Sequence, residues 1–250
     1  MTAVEELATL LETEEAPIER CLLLVSEALG NADAVERGEA VLSEMAGDLE
    51  DATLEGVLQR VFGDWGFGGD VDDYHSFDNS FLDSVLERRR GMPITLAGVL
   101  IAVGTRAGIG LHGVGLPGHF LVGVDEDRAE LRFVDAFAGG VILDVGGAIE
   151  RYERLFGGRS EFDPAMLAPV STAAMVSRVL NNLVRTAAER DRKMLDDLLD
   201  LRVQLPGPTE EKVLLVRLAE SRGRWDLAAS LREELDPEDP QAVELRARLN

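Results

Sequence analysis

PITLAGVLIAVGTRAGIGLHGVGLPGHFLVGVDEDRAELRFVDAF, residues 93–137, is the stretch whose reading decides the fold. Its opening, PITLAGVLIAVGTRAG, is apolar on nearly every face of a helix. Pro93 suits the first turn, where its missing N–H is not needed. A helix apolar all round belongs inside a domain. The pattern then changes period: LHGVGL, HFLVGV, ELRFVDAF and, just beyond, GVILD read as short strands separated by Gly, Pro and charged turns. DEDR at 125–128 suggests a hairpin between the second and third. A central helix on a small antiparallel sheet defines an α+β class.

Upstream, residues 1–66 carry apolar positions at helical spacing, including Leu7, Leu10 and Leu11, then Ile18, Cys21, Leu22, Val25 and Leu29. They predict four short helices, with Gly30 suited to ending one. Residues 66–79 are rich in Gly and Asp and read as a loop. Asn79 or Ser80 is positioned to cap the following SFLDSVLERRR helix, which Gly91 interrupts. Downstream of about Ala165 the chain returns to helix. PGP at 206–208 breaks it, and two further segments form a hairpin turning at Gly223. These paired helices resemble tetratricopeptide units, with Trp225, Leu227, Ala228, Ala229 and Leu231 as packing candidates. Trp65 and Trp225 are read as core anchors. The expected organisation is a domain at 1–164, including the N-terminal helices, and a helical tail at 165–250.

Forty-seven acidic against 25 basic residues give a net charge of −22. Such a surface repels phosphate backbones, so no nucleic-acid partner is expected. No apolar run approaches the ~20 residues of a membrane helix. The first residues lack a basic segment followed by an apolar one, so no membrane association and a cytoplasmic location are expected. Cys21 is the only cysteine, which excludes an intramolecular disulfide and a multi-cysteine zinc site. It falls on the apolar stripe of a helix and reads as a packing residue.

His119 follows the tight GLPG turn and is expected to open a strand; Asp135 ends the next strand. Adjacent antiparallel strands bring such positions side by side. An Asp accepting from one imidazole nitrogen fixes the tautomer and raises the basicity of the other, which is the base-and-orienter arrangement of nucleophilic catalysis. A buried imidazole–carboxylate pair serving strand packing is the other reading. Glu87, Arg88, Arg89 and Arg90 stand out in so acidic a chain, either as a patch reading a carboxylate or phosphate or as partners of neighbouring acidic groups. Asp70, Asp72, Asp73 and His75 suggest a hard-cation loop, but the terminal Glu of an EF-hand is missing, and no metal is expected. His112 reads as a strand packing or surface residue.

NSFLDSVLERRRGMPITLAGVL (79–100), GVGLPGHFLVGV (113–124) and FVDAFAGGVILD (133–144) resemble the SirB-type branch of the transglutaminase-like superfamily. The resemblance implies a papain/transglutaminase-like core followed by tetratricopeptide-like helices. It also implies a Cys–His–Asp triad whose Cys begins the central helix. His119 matches its His and Asp135 its Asp, while the nucleophile position falls near Pro93, where Met92, Pro93, Ile94 and Thr95 offer no thiol. Two functions follow as expectations. The first is a non-catalytic binding or regulatory protein that takes a protein or peptide partner, with no cofactor. The second is a hydrolase or acyltransferase in which Thr95, or a water activated by His119, replaces the thiol.

Overall fold

A computed structural model describes residues 1–13, 16–47, 49, 52–125, 130–157 and 161–249. Four α-helices open the chain: α1 (Ala3–Leu11), α2 (Ile18–Ala28), α3 (Ala34–Gly47) and α4 (Leu54–Leu58), the last running into a π-helical turn at Gln59–Asp64. A reciprocal Thr2–Glu5 capping box starts α1, satisfying two first-turn donors. Gly30, at φ +105°, provides the left-handed exit from α2 that a side chain would oppose.

Next come β1 (Gly68–Gly69), α5 (Leu82–Arg88), β2 (Arg90–Gly91) and α6 (Pro93–Arg106). β1 and β2 pair in parallel, a ladder too short to leave a sequence signal. The expected cap on α5 is not the one used: Phe81 is the N-cap and makes no side-chain bond. Asn79 is fully buried and occupied elsewhere, donating to the Asp73 carbonyl at 2.7 Å and accepting from Arg88 Nη1 at 3.1 Å. Arg89, in the left-handed region at φ 59°, ends α5 two residues before the Gly91 break. Every residue of α6 from Pro93 to Gly104 is buried, as its all-round apolarity requires.

The sheet has five strands in the order β6-β5-β4-β3-β7, all antiparallel: β3 (Leu111–Val114), β4 (Leu121–Val124), β5 (Phe133–Asp135), β6 (Val141–Leu143) and β7 (Pro169–Val170). A helix, α7 (Val145–Phe156), follows β6. Alternation along the strands sorts their side chains. Val122, Val124 and Val134 join the main core with α6, while Leu121 and Phe133 pack with Ala148 of α7 on the opposite face. Every residue of β4 is therefore buried. His119 does not open β4; it lies two residues before it, after the turn that Gly118 makes at φ +72°. Three residues of the DEDR stretch, at 126–128, fall outside the described residues.

Five helices complete the chain: α8 (Thr172–Arg190), α9 (Arg192–Arg202), α10 (Thr209–Ser221), α11 (Trp225–Leu235) and α12 (Pro240–Leu249). The main core does not stop at residue 164. β7 extends the sheet, and Met175, Val176, Val179, Leu180, Leu183 and Ala187 of α8 pack into the same cluster as α6. A second cluster, including Leu199, Leu215, Ala219, Ala228 and Leu231, joins α9, α10 and α11. The two meet in α9, whose Leu195, Leu198 and Leu201 belong to the first and Leu199 to the second. Among the described residues no helix is long and apolar enough to cross a membrane.

Trp225 is 45% exposed and is not a core anchor. It opens α11, at the end of the stripe that Ala228 and Leu231 bury. Trp225→Ala should therefore cost no more than ~0.5 kcal/mol, against roughly 3–5 kcal/mol for a buried tryptophan; urea unfolding separates the two outcomes. Trp65 is half-buried against the main core, with the Arg89 guanidinium 5.2 Å from its ring centroid.

Candidate functional site

The sheet brings His119 and Asp135 together. His119 Nε2 lies 3.0 Å from Asp135 Oδ2, with the carboxylate 1% and the imidazole 9% exposed. Asp135 also accepts the Ala138 N–H on Oδ1 at 3.0 Å and faces Arg151 Nη2 of α7 at 2.9 Å. Burial alone would push the Asp135 carboxyl up. The His119 hydrogen bond and charge, the Ala138 amide and Arg151 outweigh it and hold the group below the usual carboxylate range. The carboxylate is thus ionised and can only accept, so Nε2–H donates to it, and an imidazole carrying that single ring proton has an acceptor lone pair on Nδ1.

His119 lines a cavity of about 290 Å³ at the N-terminal mouth of α6. Met92, Pro93 and Ile94 form its apolar side, with Phe120 beside them; Tyr74, His75, Arg178, Asn182 and Arg185 complete it with Gly118. Arg178 Nη2 donates to the carbonyls of Leu116 and His119, both at 2.7 Å, which pins the turn that presents the imidazole. Its guanidinium sits 5.4 Å from the Phe120 ring centroid, and burial pushes its pKa down. Arg185 Nη2 donates to Asn182 Oδ1 at 2.9 Å. Tyr74 packs edge-on to Phe137, which in turn meets the His119 ring edge-on. Burial pushes the Tyr74 hydroxyl up against the pull of Arg185 and Arg178, so it remains a donor at neutral pH.

Pro93 lies in this cavity; Thr95 does not. The Thr95 hydroxyl is fully buried, 2.8 Å from the Asn79 carbonyl and 3.2 Å from the Met92 N–H that donates to it. It serves the start of α6 and has no route to a substrate. Cys21 is buried in α2, where burial first, and then Glu19 and Glu6, push its thiol up to about 12; at neutral pH it is no nucleophile.

The Arg88–Arg90 run does not reach the cavity lining. Arg88 binds Asp70 Oδ2 at 3.0 Å and Asn79, fastening the 70–79 loop. Arg89 covers Trp65, and Arg90 Nη1 donates to the Gly66 carbonyl at 2.8 Å. Glu87 is exposed on a separate groove with Arg37 and Asp83. Asp70 is committed to its own loop: it accepts the Asp73 and Asp72 N–H groups, and the Asp73 amide, with Arg88, holds its carboxyl below the usual range. Asp72 and Asp73 are exposed, Asp73 facing Arg190 at 3.4 Å. His112, in β3, holds Asp125 at 2.7 Å; neither is among the residues lining the cavity.

The residues that sequence reasoning missed come from afar: Tyr74 from a loop, Arg151 from α7, and Arg178, Asn182 and Arg185 from α8. The last three fall at i, i+4 and i+7, a polar stripe on one helix face that was present in the sequence to be read.

A buried histidine–aspartate pair presented by antiparallel strands at the mouth of a central helix is the arrangement expected of a papain-type core. The sequence model of the transglutaminase-like superfamily matches residues 27–181, and the chain belongs to that superfamily. Its relatives include a UPF0162 protein of Xylella fastidiosa (strain Temecula1 / ATCC 700964), 39% identical over 142 residues, which are 56% of this chain and 50% of that protein. A UPF0162 protein of Vibrio cholerae serotype O1 is 32% identical over 93 residues, 37% of this chain and 34% of that one. F-box only protein 21 of Mus musculus is 26% identical over 190 residues, covering 71% of this chain and 29% of its own length. The chain spans about half the length, or less, of these curated relatives. A crystal structure of menin aligns over 97% of this chain and 67% of its own at 11% identity and a TM-score of 0.43.

Proposed function

We propose that this chain is a non-catalytic binding or regulatory protein of the SirB-type branch, built on a transglutaminase-like core that has lost its nucleophile. The cavity takes a peptide or chain end, and the C-terminal helices act as a tetratricopeptide-like tail that docks a protein partner in the cytoplasm. One observation carries the reading. Among the described residues lining the cavity, none bears a thiol or an aliphatic hydroxyl, and Met92, Pro93 and Ile94 occupy the helix mouth beside His119. A base is in place with no thiol or aliphatic hydroxyl for it to activate among the described residues that line the cavity. The paired helices support a docking role because such units build concave protein-binding faces.

A second reading, hydrolysis by water, is favoured by the retained Nδ1 lone pair of an Asp-held imidazole. The two separate by assay. Wild type and His119→Ala, matched for folding by circular dichroism, are compared on amide, ester and amine-transfer substrates. The binding reading expects no turnover from either. Turnover in wild type that disappears in His119→Ala would replace it with the hydrolytic one.

A further inference from the structure

The chain carries 47 acidic residues, yet no carboxylate is found among the described residues that line the His119 cavity. Two guanidiniums, Arg178 and Arg185, line it instead, with the Tyr74 hydroxyl and the Asn182 amide. Arg178 is already oriented, because its Nη2 is fixed on two carbonyls, and Arg185 is steadied on Asn182. Planar, pre-oriented guanidiniums match carboxylate geometry and lose little freedom on binding. Asp73, on the same loop as Tyr74, faces Arg190 instead. The other side of the cavity is apolar, formed by the buried Met92, Pro93, Ile94 and Phe120. A bare inorganic anion would leave that side unfilled, and a multiply charged one would meet the field of a chain at −22.

We propose that this cavity holds a carboxylate borne on a small apolar group, as at the last residue of a peptide, between Arg178, Arg185 and the Tyr74 hydroxyl. The proposal deepens the binding reading above and rests on it. The carboxylate meets the guanidiniums and the hydroxyl, while the adjoining methyl-sized group covers Pro93 and Ile94. A free small carboxylic acid offers the same chemistry, and the test distinguishes the two sources.

The test is a titration of the full chain followed by amide chemical shifts of Asn182, Gly118 and His119. The probes are N-acetyl-Ala-Ala-Ala, its C-terminal amide, propionate and inorganic phosphate. Saturable shifts with the acid peptide and none with its amide are expected. Propionate binding as tightly as the peptide would support the carboxylate site and assign it to a free acid. Equal binding of the acid and amide peptides, saturation by phosphate alone, or saturation by no probe would overturn the proposal. Arg178→Ala endangers the 115–119 turn, so the informative variant is Arg185→Gln on the exposed side. It should weaken the acid peptide roughly five- to tenfold; unchanged affinity would count against the site. Cleavage of the peptide during the titration would end the non-catalytic reading while leaving the carboxylate site intact. Loss of binding alone would do the reverse.

Discussion

Asp135→Ala is expected to lower the unfolding free energy by ~3 kcal/mol. The carboxylate is 1% exposed and is the shared acceptor for His119, the Ala138 amide and Arg151. Removing it strands the buried His119 imidazole, which costs its desolvation, while Ala138 is exposed and its amide can turn to water. Arg151 remains 27% exposed and can turn to water, which places the loss at the lower end of the range for broken buried pairs. The same carboxylate sets an acid limit. Its folded pKa lies below the ordinary aspartate value of ~3.9, so below that pH the unfolded chain binds the proton first. The contribution of Asp135 is complete above the ordinary value and is lost as pH falls through the folded one. The stability gap between wild type and Asp135→Asn should therefore hold from pH 6 to ~4 and shrink once urea unfolding is carried below the ordinary value of ~3.9. A gap that stays constant with pH would show that the buried charge contributes nothing.

Leu100→Ala should cost about 3–4 kcal/mol and lower the melting temperature by roughly 10 °C. Leu100 is fully buried near the middle of α6, the helix that the N-terminal helices cover on one side and the sheet on the other. Little can collapse into the space. α2 already approaches α6 so closely that a methyl at Gly98 would stand 3.0 Å from Leu22. The cavity left by the mutation therefore persists, and its volume adds to the lost transfer free energy. A cost below ~1 kcal/mol would mean that the helix is not the packed centre described above.

The parts of this fold that were legible in the sequence are those where one physical constraint dominates. α6 could be read because a helix buried on all sides must be apolar on all sides, and β3 to β6 because their runs are short, β-branched and punctuated by glycine. The His119–Asp135 approach followed from antiparallel pairing of neighbouring segments. Where tertiary context decides, the sequence was silent. β1, β2 and β7 are two-residue ladders on glycine, arginine and proline, with no period to detect. α7 begins Val-Gly-Gly after its Asp144 cap, so its opening resembles the loop before it. The Asn79 cap failed because a buried asparagine had a stronger use holding the 70–79 loop, and Arg88 was taken by Asp70 for the same purpose. The cationic side of the cavity comes from α8, far along the chain from the 79–144 stretch that carries His119 and Asp135.

The proposed transglutaminase-type site at the α6 mouth, with its nucleophile lost, is open to a chemical test. The direct measurement is the pH dependence of iodoacetamide alkylation in Met92→Cys, Pro93→Cys and Ile94→Cys, each with and without His119→Ala. Cys21, with its thiol pushed up to about 12, stays silent in the background. One of the three new thiols, Pro93→Cys foremost, should titrate well below the free value of ~8.5 and return toward it when His119 is removed. Three ordinary thiols, indifferent to His119, would contradict the account.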